Sequence, residues 1–195
     1  MKSLKAKIFN RAASNPKNKP DELLNVLKLR QGQVVADIGA GGGYFSLRFA
    51  EVVGKNGRVF AADTNQKFLE LINEQCKEKR LENIQTILAT GEELDLPEKS
   101  LDLIFMRNVY HHLRNRIEYF RKLRCFLKPN GKVVIIERSK PLTLHGIFGH
   151  YVPRETIVEE MEEAGFAVDQ EFDFLPNQSF IIFVRNELEN ALDEP

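Results

Sequence analysis

The segment VVADIGAGGGYFS, residues 34–46, joins a short apolar run to a longer stretch of helical period. Three glycines, Gly39, Gly41 and Gly43, lie between the predicted buried strand and the predicted helix. Glycines at such a junction let the backbone turn sharply and let a ligand approach the helix N-terminus. The segment therefore predicts the first strand, turn and helix of a layered α/β fold, with a ligand site at the turn.

Apolar runs of strand length alternate with helical segments along the rest of the chain. After Val34–Ile38, the predicted strands are Arg58–Ala62, Ile84–Leu88, Leu101–Met106, Lys132–Glu137, Phe166–Phe174 and Ser179–Arg185. Only Leu175–Gln178 separates the last two strands, and so short a link requires a hairpin. One of these two strands must therefore be antiparallel, which predicts a mostly parallel sheet closed by a reversed edge strand.

The segment between the fourth and fifth strands predicts a helix. Its apolar residues at helical spacing are Ile117, Phe120, Leu123 and Leu127. Pro129–Gly131 contains residues that stop helices. Cys125 falls within this predicted helix and Cys76 within an earlier one, so we expect both to be core thiols of a reduced protein. Neither has a Cys or His partner at metal-ligand spacing, so no metal site is predicted.

The length of 195 residues suits one folded domain. We expect residues 1–20 to form an N-terminal arm or lid and residues 21–195 to form a single domain. No stretch offers the roughly 20 apolar residues needed to cross a bilayer. The first residues also lack the apolar core of a secretory signal. We therefore expect a cytoplasmic protein.

The charges of the chain are balanced, with 28 Lys and Arg residues against 28 Asp and Glu. No overall field would draw such a chain onto DNA or an anionic membrane. The balance favours a small-molecule partner. The basic stretch Lys2–Arg11 is a local exception, and it keeps a protein or RNA substrate open as an alternative.

The glycine turn does not fit a dinucleotide well. A dinucleotide-binding turn has glycines at its first, third and sixth positions, but counting from Gly39 the sixth residue is Tyr44. Asp37, at the mouth of the turn, would repel the two phosphates of a dinucleotide. It would attract a ligand that carries an ammonium and a sulfonium, as S-adenosylmethionine (SAM) does. The alternative is that Asp37 only holds its own backbone in place.

Acidic residues follow the second and third predicted strands. Asp63 ends the second strand, where a carboxylate can accept both hydroxyls of a ribose, unless it is simply a solvent-exposed strand end. Thr64 belongs to the same predicted site, and either Thr64 or Asn65 can cap the following helix. Glu92 can accept a hydrogen bond from an adenine amino group, as could its neighbour Glu93. These positions predict an adenosine-containing ligand.

Five motifs, in this order, resemble those of class I SAM-dependent methyltransferases: DIGAGGG, AADTN, TGEELDLP, SLDLIFMRNVYHHL and KPNGKVVIIE. The resemblance spans about Gln33 to Phe183 and is greatest to the ubiquinone and menaquinone C-methyltransferases and the type 11 methyltransferases allied to them. It implies a Rossmann-like three-layer sandwich with a seven-stranded sheet. It also implies methyl transfer from SAM to a small-molecule acceptor, leaving S-adenosylhomocysteine.

The resemblance also implies a role for each matching position. The residues around the methionine part of SAM would be Asp37, Gly39, Gly41 and Gly43. Asp63 would hold the ribose and Glu92 would meet the adenine. Arg107 and Asn108, just past the fourth strand, would lie beside the methionine end and the transferable methyl group.

Residues that could act on the acceptor lie in two segments. Methyl transfer from a sulfonium needs alignment above all, and it needs a base only if the acceptor must lose a proton. His111 and His112 follow the fourth strand and are the candidate catalytic residues, with a helix cap or packing as the alternative. His150 and Tyr151 lie in an irregular stretch and are the candidate substrate residues, although a structural role is equally open.

Two other functions compete with small-molecule methylation. The first is an NAD(P)-dependent oxidoreductase on a related sheet, which Asp37 and Tyr44 disfavour. The second is a non-catalytic module that binds SAM and regulates a partner.

Overall fold

The computed structural model describes residues 4–90, 94–139 and 151–186. Close Cα neighbours divide the chain into two compact units, Met1–Leu96 and Pro97–Pro195. The described strands form a seven-stranded mixed sheet. The predicted α/β fold class is confirmed, whereas the boundary at residue 20 stays a prediction.

The first unit alternates helices with three parallel strands. Its elements are α1 (Leu4–Ala13), a 3₁₀ helix (Pro16–Asn18), α2 (Pro20–Leu27), β1 (Val34–Ile38), α3 (Tyr44–Val53), β2 (Arg58–Asp63), α4 (Gln66–Lys79) and β3 (Ile84–Leu88). The strands lie in the order β3-β2-β1. In this register Asp37 pairs with Ala61, and Asp63 pairs with Leu88. The ends of β1 and β2 are therefore neighbours.

Local contacts fix the helices of this unit. Asn65 caps α4 by accepting a hydrogen bond from the backbone N–H of Lys67, at 3.1 Å. Gly43 directly precedes α3 as its N-cap residue and has a φ of 83°, in the left-handed region that favours glycine. A Cβ at Gly43 would lie 2.5 Å from Cγ1 of Ile72. The missing side chain thus lets α3 and α4 pack closely.

The second unit contains the other four strands. Its elements are β4 (Leu101–Arg107), a 3₁₀ helix (Tyr110–His112), α5 (Arg116–Leu123), a 3₁₀ helix (Arg124–Phe126), β5 (Leu127–Arg138), α6 (Arg154–Glu163), β6 (Phe166–Phe172) and β7 (Gln178–Arg185). The order within this unit is β4-β5-β7-β6. Strands β4 and β5 are parallel, and β7 is antiparallel to both β5 and β6. The predicted hairpin is confirmed, and its first strand, β6, lies outside the reversed strand β7.

The predicted helix before the fifth strand is too long. Helix α5 ends at Leu123, and Leu127 already belongs to β5, where it pairs with Leu101. Pro129–Gly131 therefore lies within β5 instead of ending a helix. A Cβ at Gly131 would lie 2.8 Å from Cδ2 of Leu127, so glycine leaves room for the Leu127 side chain.

The cysteine prediction holds for one residue only. Cys76 is buried on α4, whereas Cys125 is exposed in the 3₁₀ helix that follows α5. The physical reason is that α5 ends at Leu123, so Cys125 lies beyond the helix that was predicted to contain it. Within residues 4–90, 94–139 and 151–186, no helix is long and apolar enough to cross a bilayer.

Candidate functional site

The glycine loop between β1 and α3 is tied to the end of β2 by backbone amides. Gly39, Gly41 and Gly43 all have positive φ angles, of 74°, 54° and 83°. The N–H groups of Gly39 and Ala40 both donate to the carbonyl of Ala62, at 2.8 and 3.0 Å. These bonds fold the loop back onto the neighbouring strand, so its path is set by the backbone.

Asp63 joins this loop to the start of α4. Its Oδ2 accepts a hydrogen bond from the N–H of Gly41 at 2.8 Å, and its Oδ1 accepts one from the N–H of Asn65 at 2.9 Å. The residue is half-buried, and Thr64 beside it is exposed. An ionised carboxylate offers about four acceptor positions, so Asp63 has capacity for further donors. The structure thus brings the predicted residues Gly41 and Asp63 into direct contact.

Asp37 is buried, with 3% of its surface exposed, so its carboxyl group does not stand at an open mouth of the loop. Its Oδ2 accepts a hydrogen bond from Oγ of Ser46 on α3, at 2.5 Å. Burial raises the pKa of Asp37 to about 7; the hydrogen bonds of Ser46 oppose the rise and the negative charge of Asp63 adds to it. Small changes in nearby charge can therefore change the protonation of Asp37 near neutral pH.

Two amide side chains hold the outer part of the loop, and the sequence analysis missed both. The carbonyl of Gly42 accepts hydrogen bonds from Nδ2 of Asn10 on α1, at 2.8 Å, and from Nε2 of Gln75 on α4, at 3.0 Å. Asn10 lies in the predicted N-terminal arm, 32 residues from Gly42. No local sequence pattern reports a contact between residues so far apart in the chain.

Arg107 and Asn108, at the end of β4, are held by a glutamine from β7. Nε2 of Gln178 donates to Oδ1 of Asn108 at 3.0 Å, and Oε1 of Gln178 accepts from Nη2 of Arg107 at 3.1 Å. Asn108 has a φ of 55°, and its N–H donates to the carbonyl of Ile136 at 2.8 Å. Arg107 and Asn108 were predicted as site residues, whereas Gln178 was expected only as part of the hairpin link.

His111 contacts a buried glutamate that the sequence analysis did not single out. Nδ1 of His111 lies 3.0 Å from Oε2 of Glu137, at the end of β5. The same oxygen accepts from the N–H of His111 at 3.3 Å, and Oε1 accepts from the N–H of Arg138 at 2.8 Å. The Glu137 side chain is fully buried, and the His111 side chain is 7% exposed. The ring of the exposed His112 lies 4.0 Å from that of His111.

A second cluster fixes the 3₁₀ helix that carries the histidines. The hydroxyl of the fully buried Tyr110 donates to Glu160 at 2.6 Å. Arg116 donates to both oxygens of Glu160, each at 2.6 Å. Burial raises the pKa of Tyr110, and the carboxylate of Glu160 raises it further. Burial opposes ionisation of Glu160, but the hydrogen bonds from Arg116 and Tyr110 outweigh it and hold its pKa below the usual value.

Of four other predicted positions, the structure describes one. Glu92, its neighbour Glu93 and His150 lie outside the described residues. Tyr151 is described and is 37% exposed. The predicted roles of all four stay predictions.

Comparison with known proteins finds a methyltransferase family. Residues 35–131 match the family described as "Methyltransferase domain". The chain is 30% identical over 114 residues to the ubiquinone/menaquinone biosynthesis C-methyltransferase UbiE of Vibrio vulnificus, covering 58% of this chain and 44% of that protein. It is 34% identical over 118 residues to UbiE of Yersinia pestis, covering 58% and 46%. The chain thus spans less than half the length of these relatives.

Solved structures agree on the fold. A SAM-dependent methyltransferase from Aquifex aeolicus superposes with a TM-score of 0.82 at 21% identity, covering 91% of this chain and 95% of that one. A TehB-like SAM-dependent methyltransferase from Corynebacterium glutamicum gives 0.69 at 17% identity, covering 92% and 94%. Likeness at such low identity shows the fold alone. Together with the domain match over residues 35–131 and the UbiE relatives, the fold supports a class I SAM-dependent methyltransferase.

Proposed function

We propose that this chain transfers a methyl group from SAM to a small-molecule acceptor. One observation carries the proposal beyond the family resemblance: the carboxylate of Asp63 is held by the N–H groups of Gly41 and Asn65. These two bonds fix both the glycine loop and the acidic side chain. A pair held in this way suits an adenosine ligand, because a fixed site loses little conformational freedom on binding.

The donor and acceptor groups of the loop fit SAM. Asp63 has acceptor capacity for the ribose hydroxyls, which are hydrogen-bond donors. The loop and first turn of α3, residues 38–46, contain no Lys or Arg that could neutralise a pyrophosphate. Buried Asp37 would gain from a nearby positive charge, since a cation favours the ionised carboxyl. These groups favour a ligand that presents hydroxyls and positive charge.

When bound, SAM supplies a methyl group activated by the positive charge on sulfur. The residues of the chain then have to orient the two reactants and exclude water. We assign the ribose to Asp63, the neighbourhood of the methionine part to the glycine loop and Asp37, and contacts at the methionine end to Arg107 and Asn108. Gln178 supports the last two by holding both side chains.

Replacing Asp63 tests the assignment of the ribose. Asp63→Ala is expected to weaken SAM binding by about 1 to 3 kcal/mol, because hydroxyl donors lose their acceptor. Asp169→Ala, at an exposed position on β6, is the matched control and should leave SAM affinity unchanged. Isothermal titration calorimetry measures both. Equal affinity in wild type and Asp63→Ala would place the ribose elsewhere.

Thermal protection separates the proposal from a nicotinamide-dependent function. SAM and S-adenosylhomocysteine should raise the midpoint of unfolding, and NADH should not. Protection by NADH alone would favour the oxidoreductase alternative instead.

Turnover separates the enzyme from a SAM-binding module. A metabolite extract incubated with the protein and SAM labelled in its methyl group should yield at least one labelled small molecule. SAM binding without any labelled product would favour a regulatory role.

A further inference from the structure

We infer that His111 is a base that removes a proton from the methyl acceptor, and that Glu137 positions it. The inference rests on the proposed function and narrows its acceptor to compounds that must lose a proton, such as phenols, enols or carbon acids. It depends on three observations: the His111–Glu137 contact, the burial of Glu137 and the support for the turn that carries His111.

The contact sets the tautomer of His111. Both oxygens of Glu137 accept from backbone N–H groups, those of His111 and Arg138. An ionised carboxylate has no proton to donate, so the 3.0 Å contact to Nδ1 is satisfied when His111 carries its proton there. A neutral imidazole protonated at Nδ1 has its basic lone pair on Nε2. Glu137 therefore makes Nε2 the nitrogen that takes up a proton.

The burial of Glu137 distinguishes this pair from a surface contact. Its side chain is fully buried at the end of β5, where a lone carboxylate would be strongly destabilising. One backbone N–H from His111 would be enough to fix the turn. The additional bond to the ring is what a base needs, because a carboxylate beside Nδ1 stabilises the imidazolium that forms.

The turn itself is anchored independently of His111. The adjacent Tyr110 is fully buried and bonded to Glu160, which Arg116 holds with two further hydrogen bonds. Glu137 on β5 and His112 in the same turn are titratable groups next to the His111 ring. Because Tyr110 anchors the turn, His111 can be replaced without removing the residue that holds the backbone.

The reaction balances with these groups. The proton of the acceptor's oxygen or carbon passes to Nε2 of His111, which becomes an imidazolium. The electron pair released on the acceptor forms the bond to the methyl carbon, and the pair of the broken carbon–sulfur bond goes to sulfur. The imidazolium later returns its proton to solvent, and Glu137 stays ionised throughout.

Nitrogen NMR tests the tautomer without any turnover. Protein labelled with ¹⁵N in its histidine rings, at pH 8, should show His111 protonated at Nδ1, with the signal assigned by its loss in His111→Asn. In Glu137→Ala this preference should be lost. His111 protonated at Nε2 in the wild type would overturn the inference.

Methyl transfer tests the base. The probes are catechol, methylhydroquinone and acetylacetone, which each have a proton to lose, and pyridine, which is methylated without losing one. His111→Asn should lower kcat for the protic probes by about a hundredfold or more. SAM affinity should stay unchanged. Glu137→Gln should give a smaller loss of kcat. Glu118→Gln, at an exposed position on α5, is the matched control and should behave as wild type.

The outcomes separate this inference from the proposed function. The inference would be overturned if the wild type methylates none of the three protic probes, whether or not it methylates pyridine. It would also be overturned if wild type and His111→Asn methylate the protic probes at equal rates. Failure of the wild type to bind SAM would instead contradict the proposed function. The NMR experiment would still decide the His111–Glu137 pairing in that case.

Discussion

The glycine loop of the first unit and the polar cluster around Glu137 in the second are built from different groups. In the loop, the backbone N–H groups of Gly39 and Ala40 donate to the carbonyl of Ala62, and that of Gly41 donates to Asp63. In the cluster, Glu137 is bonded to the ring of His111 as well as to backbone groups. The loop therefore depends on backbone conformation, and the cluster depends on side chains that are distant in sequence.

This difference explains which features can be read from sequence. Positive φ angles demand glycine, so a backbone-built site leaves a local pattern of glycines. A contact between side chains 26 residues apart, as between His111 and Glu137, leaves no such pattern.

Asp37 is a buried acidic side chain beside the glycine loop. Burial raises its pKa to about 7, from an ordinary value of 3.8. Between these values the folded protein keeps a proton that the unfolded chain has released, so the free energy of unfolding falls as pH rises. The slope is about 1.4 kcal/mol per pH unit well below pH 7 and half of that at pH 7, which gives about 2 kcal/mol from pH 5 to 7. Asp37→Asn should lack this fall, as urea unfolding at several pH values will measure.

Ser46→Ala is the complementary variant, because it keeps the Asp37 carboxyl group and removes its hydrogen-bond donor. The Ser46 hydroxyl lowers the pKa of Asp37, so its removal should extend the pH-dependent fall to higher pH. Wild-type and Asp37→Asn stabilities that change in parallel with pH would show that Asp37 does not titrate in this window. SAM, as a cation, should favour the ionised carboxyl, so its affinity should rise between pH 5 and 7 in the wild type only.

Gly43 and Gly32 separate backbone strain from steric clash. Both have positive φ, 83° and 84°, but a Cβ at Gly43 would meet Ile72 at 2.5 Å, whereas one at Gly32 would meet nothing within 4 Å. Gly43→Ala should therefore destabilise the protein by about 2 kcal/mol more than Gly32→Ala. Thermal unfolding of the two variants measures the difference. Equal losses would mean that conformation alone selects glycine at both positions.

The sequence predicted the elements whose signals are local. The strand, glycine turn and helix of residues 34–46 fold as expected, and the short link after Phe174 does produce a hairpin. Pro129–Gly131 misled the prediction because the same residues that stop helices also occur in irregular strands, and β5 is irregular where it meets Leu101. The burial of Asp37 was missed because sequence does not show how deeply a strand end is covered.

Glu160→Gln tests a side-chain cluster away from the glycine loop. The carboxylate of Glu160 accepts bonds from both Arg116 and Tyr110, and a neutral amide cannot accept all of them. We expect a loss of about 1.5 kcal/mol in the free energy of unfolding. SAM affinity measured by calorimetry should stay unchanged. If Glu160→Gln loses as much SAM affinity as Asp63→Ala, the bonds of Glu160 to Arg116 and Tyr110 are not independent of the glycine loop.

Asn10 tests whether a side chain can matter in a loop built from backbone. Its Nδ2 donates to the carbonyl of Gly42, so Asn10→Ala should loosen the loop and weaken SAM binding by about 1 kcal/mol, or about fivefold. Asn18→Ala is the matched control, because Asn18 also donates to a backbone carbonyl in residues 1–20, that of Ala12, but does not reach the loop. Calorimetry with SAM should leave Asn18→Ala at wild-type affinity. If both variants bind equally well, the bonds of Gly42 to Gln75 and of Gly41 to Asp63 are sufficient to hold the loop, and α1 has no part in cofactor binding.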